Sequence, residues 1–130
     1  MKILLLDKTD EECRGSLKIA KYTRQELQEY LSKKHDLTTV LELEELTDAL
    51  YATQDCVIFH AIQRKVERVL SLYERYPSTG LILTCGGFCN EDRVSYNLAQ
   101  DNKGIFYLPT PYTSQILDSA IISAVNDARR

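Results

Sequence analysis

Glycine and proline are scarce, five and three in 130 residues, which excludes collagen-like and low-complexity chains. There is no basic block either. Sixteen Lys and Arg against nineteen Asp and Glu leave a net charge of −3, so neither nucleic acid nor an anionic membrane surface is an expected partner. No apolar run approaches the roughly 20 residues of a membrane helix. The opening run Ile3-Leu4-Leu5-Leu6 stops at Asp7, short of a signal-peptide core. A cytoplasmic protein is expected, with no membrane association. The four cysteines, at positions 13, 56, 85 and 89, are expected as free thiols, because a reducing compartment keeps them so.

What is present is the material of one globular domain spanning residues 1–130: 44% hydrophobic and 27% charged residues. A chain of this size buries about two-thirds of its unfolded surface, enough for a core without metal or disulfides. Low apolar content, the mark of disorder, is absent.

Four short apolar runs, Ile3–Leu6, Cys56–Phe59, Gly80–Thr84 and Ile105–Leu108, lack the alternation of a half-exposed strand and predict strands covered on both faces. Leu37 to Leu43 predicts one more. Between them lie helical spacings: Leu17, Ala20, Leu27, Tyr30 and Leu31; then Leu46, Ala49 and Leu50 within Glu44 to Ala52; then Ile62, Val66, Val69, Leu70 and Tyr73, ending before Pro77; then Val94 and Leu98 within Glu91 to Gln100; and finally Leu117, Ala120, Ile121, Ala124 and Val125 within Thr113 to Ala128. Asp10, Glu11 and Glu12 suit the start of the first helix electrically. Strands alternating with helices predict an α/β, doubly wound, five-stranded parallel sheet in a three-layer sandwich of the flavodoxin-like kind. Right-handed crossovers favour strand order 2-1-3-4-5.

In such a sheet, sites form at the carboxyl ends of the strands. The residues there are Asp7-Lys8, His60, Thr84-Cys85 and Leu108-Pro109. An Asp after strand 1, a small hydroxyl residue ending strand 4 and an X-Pro ending strand 5 together resemble a response-regulator receiver domain, across about Lys2 to Asp127. The resemblance implies a signalling role and, equally, a degenerate pocket. A working receiver holds Mg²⁺ with two adjacent acids after strand 1, where this chain reads Asp7-Lys8. Its phosphoacceptor aspartate ends strand 3, where His60 stands, and its clamping lysine precedes the strand-5 proline, where Leu108 stands. The switch aromatic of strand 5 falls at Ile105, and Arg64 and Arg68 occupy loop positions of the usual proline and glycine. Asp7 and Thr84 alone remain of the reacting set. Aspartyl phosphorylation needs carboxylate, cation and clamp together, so a pseudo-receiver lacking the phosphoacceptor is implied, with no cofactor and no catalytic residue.

Other readings of these residues stay open. Asp7-Lys8 is either a remnant in which the ammonium replaces the metal or an ordinary surface pair. His60, Cys85 and Cys89 are types that bind Zn²⁺ or carry redox chemistry, with Asp7 as a possible fourth ligand, yet CxxxC is not the usual knuckle spacing and Gly86-Gly87 also make a tight loop. His60 as a phosphoryl acceptor, or as a base for Cys85, lacks an evident clamp or orienting group. A small enzyme or metal- or ligand-binding protein using that crevice is therefore the alternative to a module acting by protein–protein contact. For that contact the receiver resemblance points to the face formed by the helix of Glu91 to Gln100, strand 5 and the last helix, carrying Arg93, Tyr96, Asn97, Tyr107, Tyr112 and Gln115. Either a protein partner or a second copy would bind there. Tyr107 also has a plain alternative role, covering an edge strand.

Overall fold

The computed structural model describes residues 1–6, 24–60, 66–85, 97, 99–109 and 112–130. Five strands, β1 (Lys2–Leu6), β2 (Asp36–Val40), β3 (Cys56–His60), β4 (Gly80–Cys85) and β5 (Ile105–Pro109), form one sheet in the order β2-β1-β3-β4-β5. All four pairings are parallel, as the both-faces-apolar runs require. The helices are α1 (Arg24–Lys34), α2 (Asp48–Ala52), α3 (Val66–Arg75), α4, described at residues 97 and 99–101, and α5 (Ser114–Ala128).

Alternation along the strands sorts the core into two layers. Leu4, Leu6, Val57, Phe59, Leu81 and Leu83 meet Tyr51 of α2 and Val69, Leu72 and Tyr73 of α3, with Ala99 of α4 beside them. Ile3, Leu5, Cys56, Ile58, Ile82 and Leu108 meet Leu27 and Leu31 of α1 and Leu117, Ile121, Ala124 and Val125 of α5. The α1–α5 layer is stitched at its surface: the Tyr30 hydroxyl donates to Asp118 Oδ2 at 2.6 Å, and Lys34 Nζ reaches the same carboxylate oxygen at 3.2 Å.

Several boundaries differ from the sequence reading. The second strand ends at Val40, because Leu43 turns inward to open a 3₁₀ turn, Leu43–Glu45. There the Glu42 N–H donates to Glu45 Oε1 at 3.1 Å, so Leu43 and Leu46 are buried from a turn instead of a strand or helix. The following helix starts only at Asp48, where Thr47 Oγ1 accepts from the Leu50 N–H, a side-chain cap that terminates the helix towards its N-terminus. On α3 the inward stripe is Val69, Leu72 and Tyr73, with Leu70 only partly buried. Thr113 caps α5 in the same way through the Ile116 N–H. Leu17, Ala20 and the acids at 10–12 lie outside the described residues, as do Ile62, Val94 and Leu98.

Tyr51 is fully buried, and its hydroxyl has no hydrogen-bond partner among the described residues. Burial raises its pKa far above the ordinary phenol value. An unsatisfied buried hydroxyl costs about 1–3 kcal/mol. Tyr51→Phe is therefore expected to raise unfolding stability by about 1 kcal/mol, read as a higher urea midpoint at unchanged slope.

Candidate functional site at the carboxyl edge of the sheet

The register lines up the strand ends. Leu6 is opposite Phe59, His60 opposite Thr84, Thr84 opposite Leu108, and Cys85 opposite Pro109. His60, Thr84 and Leu108 thus form one transverse row at the carboxyl edge. The backbones of His60 and Cys85 are strand residues. Their side chains, and the whole of Asp7, Lys8, Cys89, Arg93 and Tyr96, lie outside the described residues.

Two members of the row have defined surroundings. Thr84 is 2% exposed, and its Oγ1 has no hydrogen-bond partner among the described residues. Leu108 is 4% exposed and belongs to the same core layer as Ile82, Tyr112 and Leu117. An aliphatic side chain packed this way contributes to stability by burial and offers nothing to an anion. Cys56 begins β3, at the opposite edge. Burial pushes its thiol up to about 12, out of reach of thiolate chemistry at neutral pH. Among the described residues no group of three or more His, Cys, Asp or Glu is placed to hold a metal ion. No helix among them is long and apolar enough to cross a membrane.

The α4–β5–α5 face is partly different from its sequence outline. Tyr112 is 7% exposed and packs in the core with Leu108 and Leu117; its ring supports the face from beneath, so its expected place as a surface contact is corrected. The reason is local: Tyr112 directly precedes the Thr113 cap, the position from which an apolar side chain packs on the residue four into the helix, here Leu117. Tyr107 is half-buried against the other core layer, while Asn97 and Gln115 are exposed. Ile116, which the sequence reading passed over, is 52% exposed one residue beyond Gln115. The signal for it was available, because Ile116 falls outside the Leu117–Ile121–Ala124 stripe.

A concavity of about 490 Å³ lies at the amino end of β5 between the ends of α4 and α5. It was not anticipated, since Asn102-Lys103-Gly104 reads locally as no more than a turn.

No family model matches the chain, and no curated protein matches it. Solved structures do. The signal receiver domain of an HD domain-containing protein from Pseudomonas fluorescens Pf-5 superposes with a TM-score of 0.67 at 24% identity, covering 98% of this chain and 95% of that one. A response regulator receiver domain protein from Clostridium thermocellum gives 0.65 at 19% identity, over 96% and 94%. This is a receiver-like fold. A protein described as an adenylate cyclase from Rhodopirellula baltica shares it at a TM-score of 0.66 and 13% identity, over 98% and 88%. The five-stranded receiver-like sheet in the order 2-1-3-4-5 thus agrees with the expectation from the apolar runs. In the receiver-like frame the carboxyl-edge row of His60, Thr84 and Leu108 occupies the edge where open α/β sheets carry their sites.

Proposed function

We propose that this chain is a signalling module of the pseudo-receiver type, acting by protein–protein contact without phosphorylation. The observation that carries the reading is Leu108. The receiver resemblance puts a phosphoryl-clamping lysine in this slot, and here a leucine fills it as part of the core, 4% exposed. His60 at the end of β3 supports it, since the same resemblance expects the acceptor carboxylate there. Without carboxylate and clamp, the acyl phosphate would lack both its nucleophile and its charge partner.

The test is incubation with acetyl phosphate and Mg²⁺, followed by intact-mass measurement. No stable phospho-adduct is expected. A stoichiometric adduct, or an adduct lost in Asp7→Asn, overturns the reading.

With the pocket silent, output rests on surface contact, and the α4–β5–α5 face is the proposed surface for a protein partner or a second copy. It offers Asn97, Tyr107, Gln115 and Ile116, an uncharged set of amide, aromatic and aliphatic groups suited to association. Arg93 and Tyr96 are proposed members by their place in the sequence before Asn97. Replacing exposed Ile116 by Asp should leave the thermal midpoint nearly unchanged and weaken self-association or partner binding at least tenfold by sedimentation or titration, since a charge desolvated in an interface costs more than about 1.4 kcal/mol. Unchanged association removes this face from the proposal.

A further inference from the structure

The concavity at the amino end of β5 lies on the opposite edge of the sheet from the His60–Thr84–Leu108 row. Its volume of about 490 Å³ is that of a small-molecule site. Its floor is anchored on two sides. Gly104 sits at φ 87°, and a Cβ added there would lie 3.1 Å from Ala128 Cα and 3.2 Å from Ala128 Cβ, so the turn rests directly on α5. From α3, the Tyr73 hydroxyl donates to the Lys103 carbonyl. A turn held from both sides presents a preformed cleft, which lowers the ordering cost of binding.

The walls have a definite chemistry. Phe106 and Tyr107 are consecutive on an edge strand, so they fall on opposite faces of the sheet. Phe106 packs with the α5 layer and Tyr107 with the α3–α4 layer, each only partly buried, and both line the cleft. Two carboxylates also line it: Asp101, at the described end of α4, and Asp127, in the last turn of α5. Helix carboxyl ends carry partial negative charge, and the arginines that directly follow α5 are both engaged, Arg129 with Asp55 and Arg130 with Asp127. Lys103 is the one cation among the described residues that line it. Arg130 shows what Asp127 accepts: its Nη1 lies 3.6 Å from Asp127 Oδ1, a loose pair on a largely exposed side chain. Two carboxylates on separate elements fall short of the six or more oxygens of a Ca²⁺ site. Together with the aromatic residues of the β5 edge they suit a cation that brings its own apolar surface.

We propose that this cleft binds a small organic cation, a guanidinium or alkylammonium head on an apolar stem. The head is drawn to Asp101 and to Asp127, where it competes with Arg130, and the stem runs along the edge of β5, which Phe106 and Tyr107 flank from its two faces. Lys103 limits the affinity by like-charge repulsion.

The experiment is a titration of the ¹⁵N-labelled full chain with agmatine, followed by amide shifts, with guanidinium chloride and succinate as comparison probes. Saturable shifts at Gly104, Phe106 and Asp127 are expected in the millimolar range, with guanidinium alone binding several-fold more weakly and succinate not at all. The double variant Asp101→Asn, Asp127→Asn should weaken agmatine about tenfold, and Lys103→Ala should tighten it about threefold, as partly screened single-charge contacts do. Asp101 is exposed and Asp127 partly buried, so the thermal midpoint of each variant is measured alongside to separate binding from folding. Absence of saturable shifts, an equal response to succinate, or affinity indifferent to the Asp101/Asp127 double variant each overturns the proposal. Equal binding of guanidinium and agmatine overturns the role of the aromatic wall.

Discussion

Leu108→Lys is expected to destabilise the fold by about 3–5 kcal/mol, because it places an uncompensated ammonium among packed aliphatic groups. Leu108 is 4% exposed and lies in one layer with Ile58, Ile82, Tyr112 and Leu117. Its strand neighbour across the ladder is Thr84, whose single hydroxyl is a poor substitute for a carboxylate. The lysine would shed its proton or force the strand end open, and both cost free energy. Urea unfolding at neutral pH measures the loss, and raising the pH towards the ordinary lysine pKa should recover part of it. A variant as stable as the parent would mean that the slot opens onto an acidic crevice. That result would count directly against a pocket built for packing, and so against the phosphorylation-independent reading. Leu108→Met, which keeps volume and adds no charge, should cost less than about 1.5 kcal/mol. The comparison separates charge from shape.

Gly80→Ala is expected to cost about 3 kcal/mol, at the upper end of what one inserted methyl does to a packed interior. A Cβ at Gly80 would stand 2.8 Å from the Ala124 carbonyl carbon, 2.9 Å from its oxygen and 3.0 Å from the Val125 nitrogen. All three are backbone atoms of α5, so no rotamer change relieves the contact. The start of β4 and the middle of α5 must separate, which also loosens Ile82, Leu117 and Ile121 in the same layer. Thermal and urea denaturation would show the loss. Ala124→Gly should not rescue it, since the crowded atoms at Ala124 belong to the main chain. Rescue by Ala124→Gly would show that the helix seats on β4 through its side chains instead.

How far the sequence reaches is clearest at the strands. Ile3–Leu6, Cys56–Phe59 and Leu81–Leu83 are apolar at every position, and only a strand covered on both faces buries all of them. The parallel sheet and its helix-alternating order were therefore legible from composition along the chain. So was the row of residues that the carboxyl edge would display. His60 ends its strand and Thr84 and Leu108 are the penultimate residues of theirs, and chain direction alone puts those ends together.

The tertiary structure decided what neighbours those residues have. Whether Leu108 faces a pocket or a core, and whether Tyr112 is a surface contact or a buried support, depends on which elements pack against β5. The sequence contains the same leucine and tyrosine in either case. Leu43 turned inward because a 3₁₀ turn placed it over the core where a continued strand would not. Gly80 reads in sequence as no more than the first residue of an apolar strand, and only the approach of α5 gives its missing side chain a function. The cleft at the amino end of β5 likewise draws on Asp101, Phe106, Tyr107 and Asp127, residues up to a whole helix apart. Hydrophobic pattern is a local property that the chain carries with it, and it set the strands, most of the helices and their order. Burial of a given side chain is a property of pairs of elements distant in sequence, and it exists only once the helices have been laid on the sheet.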